Sequence, residues 1–171
     1  MLKYVDTKVV FRELPDEITL AINLSGCPCH CEGCHSPYLA GDVGTELDYA
    51  ALEKLIKNNT GITAICFMGG DGDPKAVYDL ACMIRDSSSD IKIGWYSGRP
   101  KLPGWFYPLR KESVVFDYVK LGPYIPKYGG LDKATTNQRL YRITLNDMGG
   151  YDVKDVTNLL RKTECIISVS Y

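Results

Sequence analysis

The chain of 171 residues is 45% hydrophobic and 24% charged, the composition of an ordinary soluble domain long enough to bury a core. The formal net charge is -1, from 20 basic and 21 acidic residues, and there is no long basic run. The charge therefore gives no reason to expect nucleic acid or an anionic membrane as a partner. The sequence shows no apolar export signal and no segment that could span a bilayer, so we expect a cytoplasmic protein with reduced thiols.

The predicted elements begin with a strand over residues 17–24, EITLAINL, whose apolar residues recur every second position and indicate one buried face. A cysteine-rich loop follows it directly. Residues 46–59, ELDYAALEKLIKNN, predict a helix in which Asp48 is the N-cap and Leu47 and Leu52 form a hydrophobic staple. The chain therefore starts as strand, loop and helix.

The same unit recurs further along the chain. Residues 62–68, ITAICFM, are almost wholly apolar, as expected of a parallel strand covered on both faces. After the turn GGDGD, Asp73 and Pro74 predict the start of a second helix. Further strands are predicted at residues 91–96 (IKIGWY) and 116–122 (FDYVKLG), and weaker ones at 138–143 (QRLYRI) and 165–171 (CIISVSY).

Alternating strands and helices predict an α/β fold with a parallel sheet whose ligands bind at the carboxyl ends of the strands. A closed barrel of eight units takes around 250 residues, so this chain supplies only about five or six units. We therefore predict a single domain over residues 1–171 that forms a partial, open (β/α) barrel. The segment between the third and fourth strands contains three prolines, which predicts a short or broken helix there.

The loop SGCPCHCEGCHSP, residues 25–37, gathers four cysteines and both histidines of the chain. A closed zinc site could take four of these groups, although such sites usually join ligand pairs from separate segments. A redox pair could use the C-x-x-C of Cys31 and Cys34, although that motif normally opens a helix. A third interpretation is a C-x-x-x-C-x-x-C segment around an iron-sulfur cube that leaves one iron open. Cys66, Cys82 and Cys165 are predicted to be small buried hydrophobes.

The spacing of Cys27, Cys31 and Cys34, directly after a strand, resembles that of the radical S-adenosylmethionine enzymes. The resemblance implies a 4Fe-4S cluster on these three thiolates, with S-adenosylmethionine on the open iron. Cys29 is then a spare thiol that is not a ligand.

The resemblance also implies where the cofactor is bound. The family has a Gly-Gly-Glu-like turn after the second strand, and the matching residues here are Gly69, Gly70 and Asp71, with Asp71 on the methionyl ammonium. Ser97, at the end of the third strand, matches another position that touches the cofactor. Members often carry an aromatic residue before the last cysteine, near the adenine, and this chain has Gly33 there.

A narrower resemblance is to the activating proteins of anaerobic ribonucleoside-triphosphate reductase, across about residues 1 to 145. It rests on the short chain, the cysteine loop, Gly122-Pro123-Tyr124 and Asn137-Gln138-Arg139. The resemblance implies that a reduced cluster, fed by a flavodoxin- or ferredoxin-type donor, cleaves S-adenosylmethionine to a 5'-deoxyadenosyl radical. That radical would take a hydrogen atom from a glycine of the large subunit of the reductase. No catalytic residue is expected beyond the cluster ligands.

Two alternatives stay open at this point. A small-molecule radical S-adenosylmethionine enzyme, such as a carboxy-deazaguanine synthase, would show the same cysteine loop and Gly-Gly turn. A non-catalytic module could use the thiols only to hold zinc. The substrate that supports turnover distinguishes the activase from a small-molecule enzyme. Metal analysis distinguishes an iron-sulfur protein from a zinc-binding module.

Overall fold

The computed structural model describes residues 1–87, 90–110 and 113–161. They form an eight-stranded sheet, two α-helices and a small two-stranded ribbon. The strands are β1 (Lys3–Val10), β2 (Thr19–Leu24), β3 (Thr45–Glu46), β4 (Ala64–Met68), β5 (Lys92–Tyr96), β6 (Leu109–Arg110), β7 (Ser113–Val114), β8 (Tyr118–Leu121), β9 (Arg139–Leu145) and β10 (Tyr151–Asp155); the helices are α1 (Tyr49–Asn58) and α2 (Pro74–Ser87).

The main sheet has the order β10-β9-β8-β5-β4-β2-β1-β3. Its centre, β2 to β8, is parallel, because β2 pairs with β4, β4 with β5, and β5 with β8 in the same direction. The outer strands are antiparallel, and β6 pairs with β7 in a separate ribbon. Within the described residues the sheet is open, with β10 and β3 at its edges.

Both helices begin where the sequence predicts. Asp48 caps α1 by accepting a hydrogen bond from the Ala51 amide at 2.8 Å. Asp73 accepts one from the Ala76 amide at 3.1 Å, with Pro74 in the first position of α2. Such caps satisfy amides that have no partner inside the helix. Neither described helix has the length and apolar character needed to cross a membrane.

The prediction that β2 has only one buried face is wrong. Residues Thr19 to Ile22 are all buried, whereas Ile18 precedes the strand and is 38% exposed. The reason is tertiary packing, because β2 is an interior strand between β1 and β4 and its residues on both faces of the sheet are buried. The sequence analysis missed β1, a half-exposed strand whose pairing with β2 and β3 depends on distant parts of the chain. It also missed β10, which is exposed along its length.

The two helices cover one face of the sheet. Along β4, Ile65 and Phe67 belong to the core cluster that contains the buried residues of α1 and α2. The alternate residues Ala64 and Cys66 belong to a second cluster with Leu14, Leu140 and Val156. The other face is therefore packed without an α-helix in the described part of the chain.

The segment between β5 and β8 contains the β6–β7 ribbon, and its described residues contain no helix, where the sequence predicts a short or broken one. The predicted strand at residues 165–171 lies outside the described residues, together with Cys165. Cys66 and Cys82 are buried, which confirms their prediction as small hydrophobes, and burial raises the pKa of the Cys66 thiol well above its usual value.

Four loops meet at one edge of the sheet because β2, β4, β5 and β8 run parallel. The cysteine loop follows β2, the Gly69-Gly70-Asp71 turn follows β4, Ser97 follows β5, and Gly122 follows β8. This arrangement brings the predicted site residues to a common place.

Candidate metal centre

The cysteine loop is anchored to the 3-10 turn that follows it, Pro37–Ala40. The Cys27 amide donates to the Leu39 carbonyl at 2.9 Å, and the Gly26 amide donates to the Gly41 carbonyl at 3.0 Å. Within the loop, the Cys34 amide donates to the Cys31 carbonyl at 3.2 Å. These bonds fold a short segment back on itself, so that cysteines several positions apart surround one space.

Cys27, Cys31 and Cys34 line one pocket of about 240 Å³. All three thiols are half-buried, accessible enough to take a ligand and sheltered enough to limit hydration. The remaining lining residues are His30, Ser36, Pro37 and Ala40. Three thiols around one space suit a thiophilic metal group and leave room for a non-protein ligand.

Cys29 is not among the described residues that line this pocket. Its thiol donates to Asp71 Oδ2 at 3.7 Å, and its Sγ, the Cys27 Sγ and a carboxylate oxygen of Asp71 lie within 4.8 Å of one another. Burial, reinforced by the negative charge of Asp71, raises the pKa of Cys29 to about 12. The hydrogen bond places the Cys29 thiol beside Asp71.

Asp71 links the loops after β4 and β5. It is 1% exposed, and its carboxylate accepts hydrogen bonds from Ser97 Oγ at 2.6 Å and from the Gly98 amide at 2.7 Å. Arg99 lies beside it, with Nε 3.7 Å from Oδ1 and Nη2 donating to the Asp71 carbonyl at 2.8 Å. The structure thus brings Asp71 and Ser97 together, while their contact with a cofactor stays a prediction.

Gly69 and Gly70 both have positive φ, of 95° and 83°. A Cβ on Gly70 would lie 2.5 Å from Val77 Cγ2 and 2.8 Å from Leu24 Cδ1, so a side chain there would collide with the core. Gly69 lines a second pocket, of about 420 Å³. Its carbonyl accepts a hydrogen bond from Trp95 Nε1 at 2.8 Å. Gly70 therefore serves packing, and Gly69 is the glycine that lies in a pocket wall.

A larger pocket of about 420 Å³ adjoins the first, since Cys27 and Cys34 line both. It lies on the sheet face without helices, because Met68 and Tyr96 line it and also pack against the second core cluster. Sixteen residues form its wall: Asn23, Leu24, Cys27, Cys34, His35, Ser36, Leu39, Met68, Gly69, Tyr96, Lys120, Tyr124, Gly130, Leu131, Asp132 and Gln138.

Lys120 is the only lysine or arginine among the described residues of this wall. Its ammonium is buried and donates to the Gly122 carbonyl at 2.8 Å and the Ser97 carbonyl at 3.3 Å. Burial lowers the pKa of Lys120 to about 8, although nearby Asp71 and the loop thiols oppose that shift. The sequence analysis missed Lys120; the available signal was a lysine inside the otherwise apolar strand YVKL.

The two motifs that follow β8 form one unit. The side-chain amide of Asn137 donates to the Pro123 carbonyl at 2.9 Å, and the side-chain amide of Gln138 donates to the Gly122 carbonyl at 3.3 Å. Arg139 donates to the carbonyls of Thr136 and Gln138 at 2.7 and 2.8 Å. The Gly-Pro-Tyr segment is therefore held in place by the Asn-Gln-Arg segment, and Tyr124 and Gln138 both reach the larger pocket.

Residues 18–100 match a family model described as a 4Fe-4S single cluster domain. The matched range is slightly less than half of the chain and contains the cysteine loop, the Gly69-Gly70-Asp71 turn and Ser97. The match supports binding of a 4Fe-4S cluster and is compatible with a redox enzyme. No curated protein and no solved structure matches the chain.

Proposed function

We propose that this protein is a radical S-adenosylmethionine enzyme that activates the large subunit of an anaerobic ribonucleoside-triphosphate reductase by forming a glycyl radical. One observation carries the proposal. The three cysteines of the C-x-x-x-C-x-x-C segment line a common pocket, and two of them also line a larger pocket that could receive a cofactor and substrate.

The residues present fit a 4Fe-4S cluster. Cys27, Cys31 and Cys34 offer three thiolates, one fewer than a cubane takes when protein alone holds it. The fourth thiol of the loop, Cys29, faces Asp71. An iron without a protein ligand is then available to S-adenosylmethionine, in the way that a catalytic metal keeps one position open.

The sheet supports the proposed fold, a shortened and open (β/α) barrel. In such barrels the helices lie outside, and the site lies at the carboxyl ends of the strands. Here α1 and α2 cover one face, while the larger pocket opens on the other face, beside the ends of β4, β5 and β8. An open wall suits a macromolecular substrate, because a glycine-bearing loop of a partner could enter from the side.

When bound, the cluster and S-adenosylmethionine would supply the chemistry: an electron from a flavodoxin- or ferredoxin-type donor would break the bond between the sulfonium and the 5' carbon, giving methionine and a 5'-deoxyadenosyl radical able to take a hydrogen atom from a glycine Cα of the reductase. The protein's own residues would bind and orient the two cofactors. Cys27, Cys31 and Cys34 would hold the iron, and Lys120 places the pocket's positive charge where a carboxylate could bind. Asp71, fixed by Ser97 and Gly98, gives the site its buried negative charge.

The choice of reductase as partner is supported by the unit formed by Gly122-Pro123-Tyr124 and Asn137-Gln138-Arg139. Both segments match the activase resemblance, and their hydrogen bonds bring them to one wall of the larger pocket. A glycine loop entering that pocket would therefore pass the residues that distinguish this group from small-molecule relatives.

We expect Asp71→Ala to retain the cluster but to weaken S-adenosylmethionine binding by about 1.5 to 3 kcal/mol. That is the range for a desolvated, charge-assisted hydrogen bond. Titration of the reconstituted protein with S-adenosylmethionine measures the change, and iron content confirms that the cluster is present. Asp73→Ala is the matched control, because it removes the cap of α2 and an exposed ion pair with the N-terminal amine, and it should leave the affinity unchanged. Unchanged affinity in Asp71→Ala would leave this carboxylate a purely structural link between two loops.

The central test uses the anaerobically reconstituted and reduced protein with S-adenosylmethionine and the host's anaerobic reductase. We expect a glycyl radical doublet in the reductase by electron spin resonance. With deuterium at that glycine's Cα, we expect deuterium in 5'-deoxyadenosine. Cys31→Ala is the control variant, and it should give neither signal.

Two results would contradict the proposal. If no deuterium is transferred while a small purine precursor is turned over, the protein is a small-molecule enzyme such as a carboxy-deazaguanine synthase. If anaerobically purified protein contains zinc and neither iron nor sulfide, the loop is a zinc-binding module.

A further inference from the structure

The rim of the larger pocket next to Cys34 is formed by two aromatic rings. The ring centroids of His35 and Tyr124 are 5.2 Å apart, with an angle of 43° between the ring planes. Both residues line the 420 Å³ pocket together with Cys27 and Cys34, so the rings stand beside the thiols. Aromatic faces next to a metal centre form a place for a flat, polarisable group.

Tyr124 and Pro126 lie against the cysteine loop at Gly33. A Cβ on Gly33 would lie 3.6 Å from Tyr124 Cε1 and 3.2 Å from Pro126 Cγ. Gly33 also has φ of +66°, a conformation that other residues adopt only with strain. The space beside position 33 is thus taken by rings that belong to the segment after β8.

Tyr124 is held firmly at this place. The carbonyl of Pro123 accepts the bond from Asn137, and the carbonyl of Gly122 accepts bonds from Gln138 and Lys120. The other tyrosine of the wall, Tyr96, instead donates its hydroxyl to the Glu13 carbonyl and also lines a separate pocket with Arg12 and Glu13. Of the two tyrosines, Tyr124 is the one that stands next to the cluster cysteines.

The pocket wall combines two kinds of chemistry. Tyr124 and His35 contribute aromatic rings, with Leu39 and Leu131 also in the lining, whereas Lys120 contributes a buried positive charge and Asp132 a carboxylate. A nucleobase stacks on an aromatic side chain, and a carboxylate pairs with an ammonium group. A ligand with a base at one end and an amino acid at the other would satisfy both.

We propose that Tyr124, supported by His35, is the stacking platform for the adenine of the nucleoside cofactor, in place of a side chain at position 33. This inference rests on the proposed function, because it takes S-adenosylmethionine as the occupant of the pocket. It assigns to the Gly-Pro-Tyr segment a direct part in binding the cofactor, besides its place on the wall that faces the partner.

The test measures binding of S-adenosylmethionine to the anaerobically reconstituted protein and to Tyr124→Ala. We expect the dissociation constant to rise by about 5- to 150-fold, the range for loss of one stacked base, with iron content unchanged. Tyr124→Phe keeps the ring and should bind within about twofold of the wild type. Tyr128→Ala is the matched control, since Tyr128 lies in the same segment, is 39% exposed and is not among the described residues of the pocket wall.

A second measurement begins with the wild-type protein. The wild-type protein should bind 5'-methylthioadenosine more tightly than 5-methylthioribose, which lacks only the base, and this difference should largely vanish in Tyr124→Ala. Equal S-adenosylmethionine affinity in wild type and Tyr124→Ala would overturn the stacking role and leave the proposed function intact. If the wild type binds neither S-adenosylmethionine nor 5'-methylthioadenosine, both the stacking role and the proposed function fail.

Discussion

Replacing Cys27, Cys31 or Cys34 singly with alanine is expected to abolish the iron-sulfur absorbance or the cleavage of S-adenosylmethionine, whereas Cys29→Ala should retain both. The reason is geometric: the first three cysteines line one pocket, and Cys29 faces Asp71 outside it. A cluster that loses one of three protein ligands has too few thiolates to remain bound. Iron and sulfide content, the visible spectrum and spin resonance after anaerobic reconstitution measure the effect.

Cys29→Ala is also the control for damage to the loop, because it removes a thiol from the same segment. It leaves the Asp71 carboxylate with its bonds from Ser97 and Gly98. The ligand assignment is wrong if Cys29→Ala loses the cluster while one of the other three variants keeps it. The group formed by Cys27, Cys29 and Asp71 would then be the better candidate for the metal.

Asp117→Ala is expected to lower the free energy of unfolding by about 3 to 5 kcal/mol, the cost of leaving a buried charge without its partner. Asp117 forms an ion pair with Arg85 of α2, and both side chains are less than a tenth exposed. The same carboxylate accepts a hydrogen bond from the Ile93 amide at 2.8 Å. The pair thus joins α2 to the strands that carry the pocket.

Urea denaturation under anaerobic conditions, followed by circular dichroism, measures this loss. Asp79→Ala is the matched control, because Asp79 is a half-exposed partner of Lys75 on the same helix. Surface pairs of this kind contribute only about 0.3 to 0.5 kcal/mol. If both variants unfold at the same urea concentration, the buried pair contributes no more than a surface pair.

Local patterns in the sequence predicted the parts of the fold that depend on neighbouring residues. Asp48 and Asp73 were identified as helix caps because a cap bonds to an amide three residues away. The central strands β4, β5 and β8 were identified because a strand covered on both faces is a short apolar run. Strand β1 is half-exposed and the edge strand β10 is exposed, so their patterns are weak, and their pairing depends on distant residues.

The candidate site likewise has residues that the sequence indicates and contacts that only the tertiary structure shows. The sequence by itself identified Cys27, Cys31 and Cys34 as the candidate cluster ligands, because the three lie within eight residues at a recognisable spacing. Only the tertiary structure showed that the Asp71 carboxylate accepts hydrogen bonds from Ser97 and Gly98. It also showed that Lys120 lies in the same pocket wall as Cys27 and Cys34. These contacts join loops that follow different strands. The closeness of Tyr124 to Gly33 was likewise decided by folding, since parallel strands bring their carboxyl ends together whatever the separation along the chain.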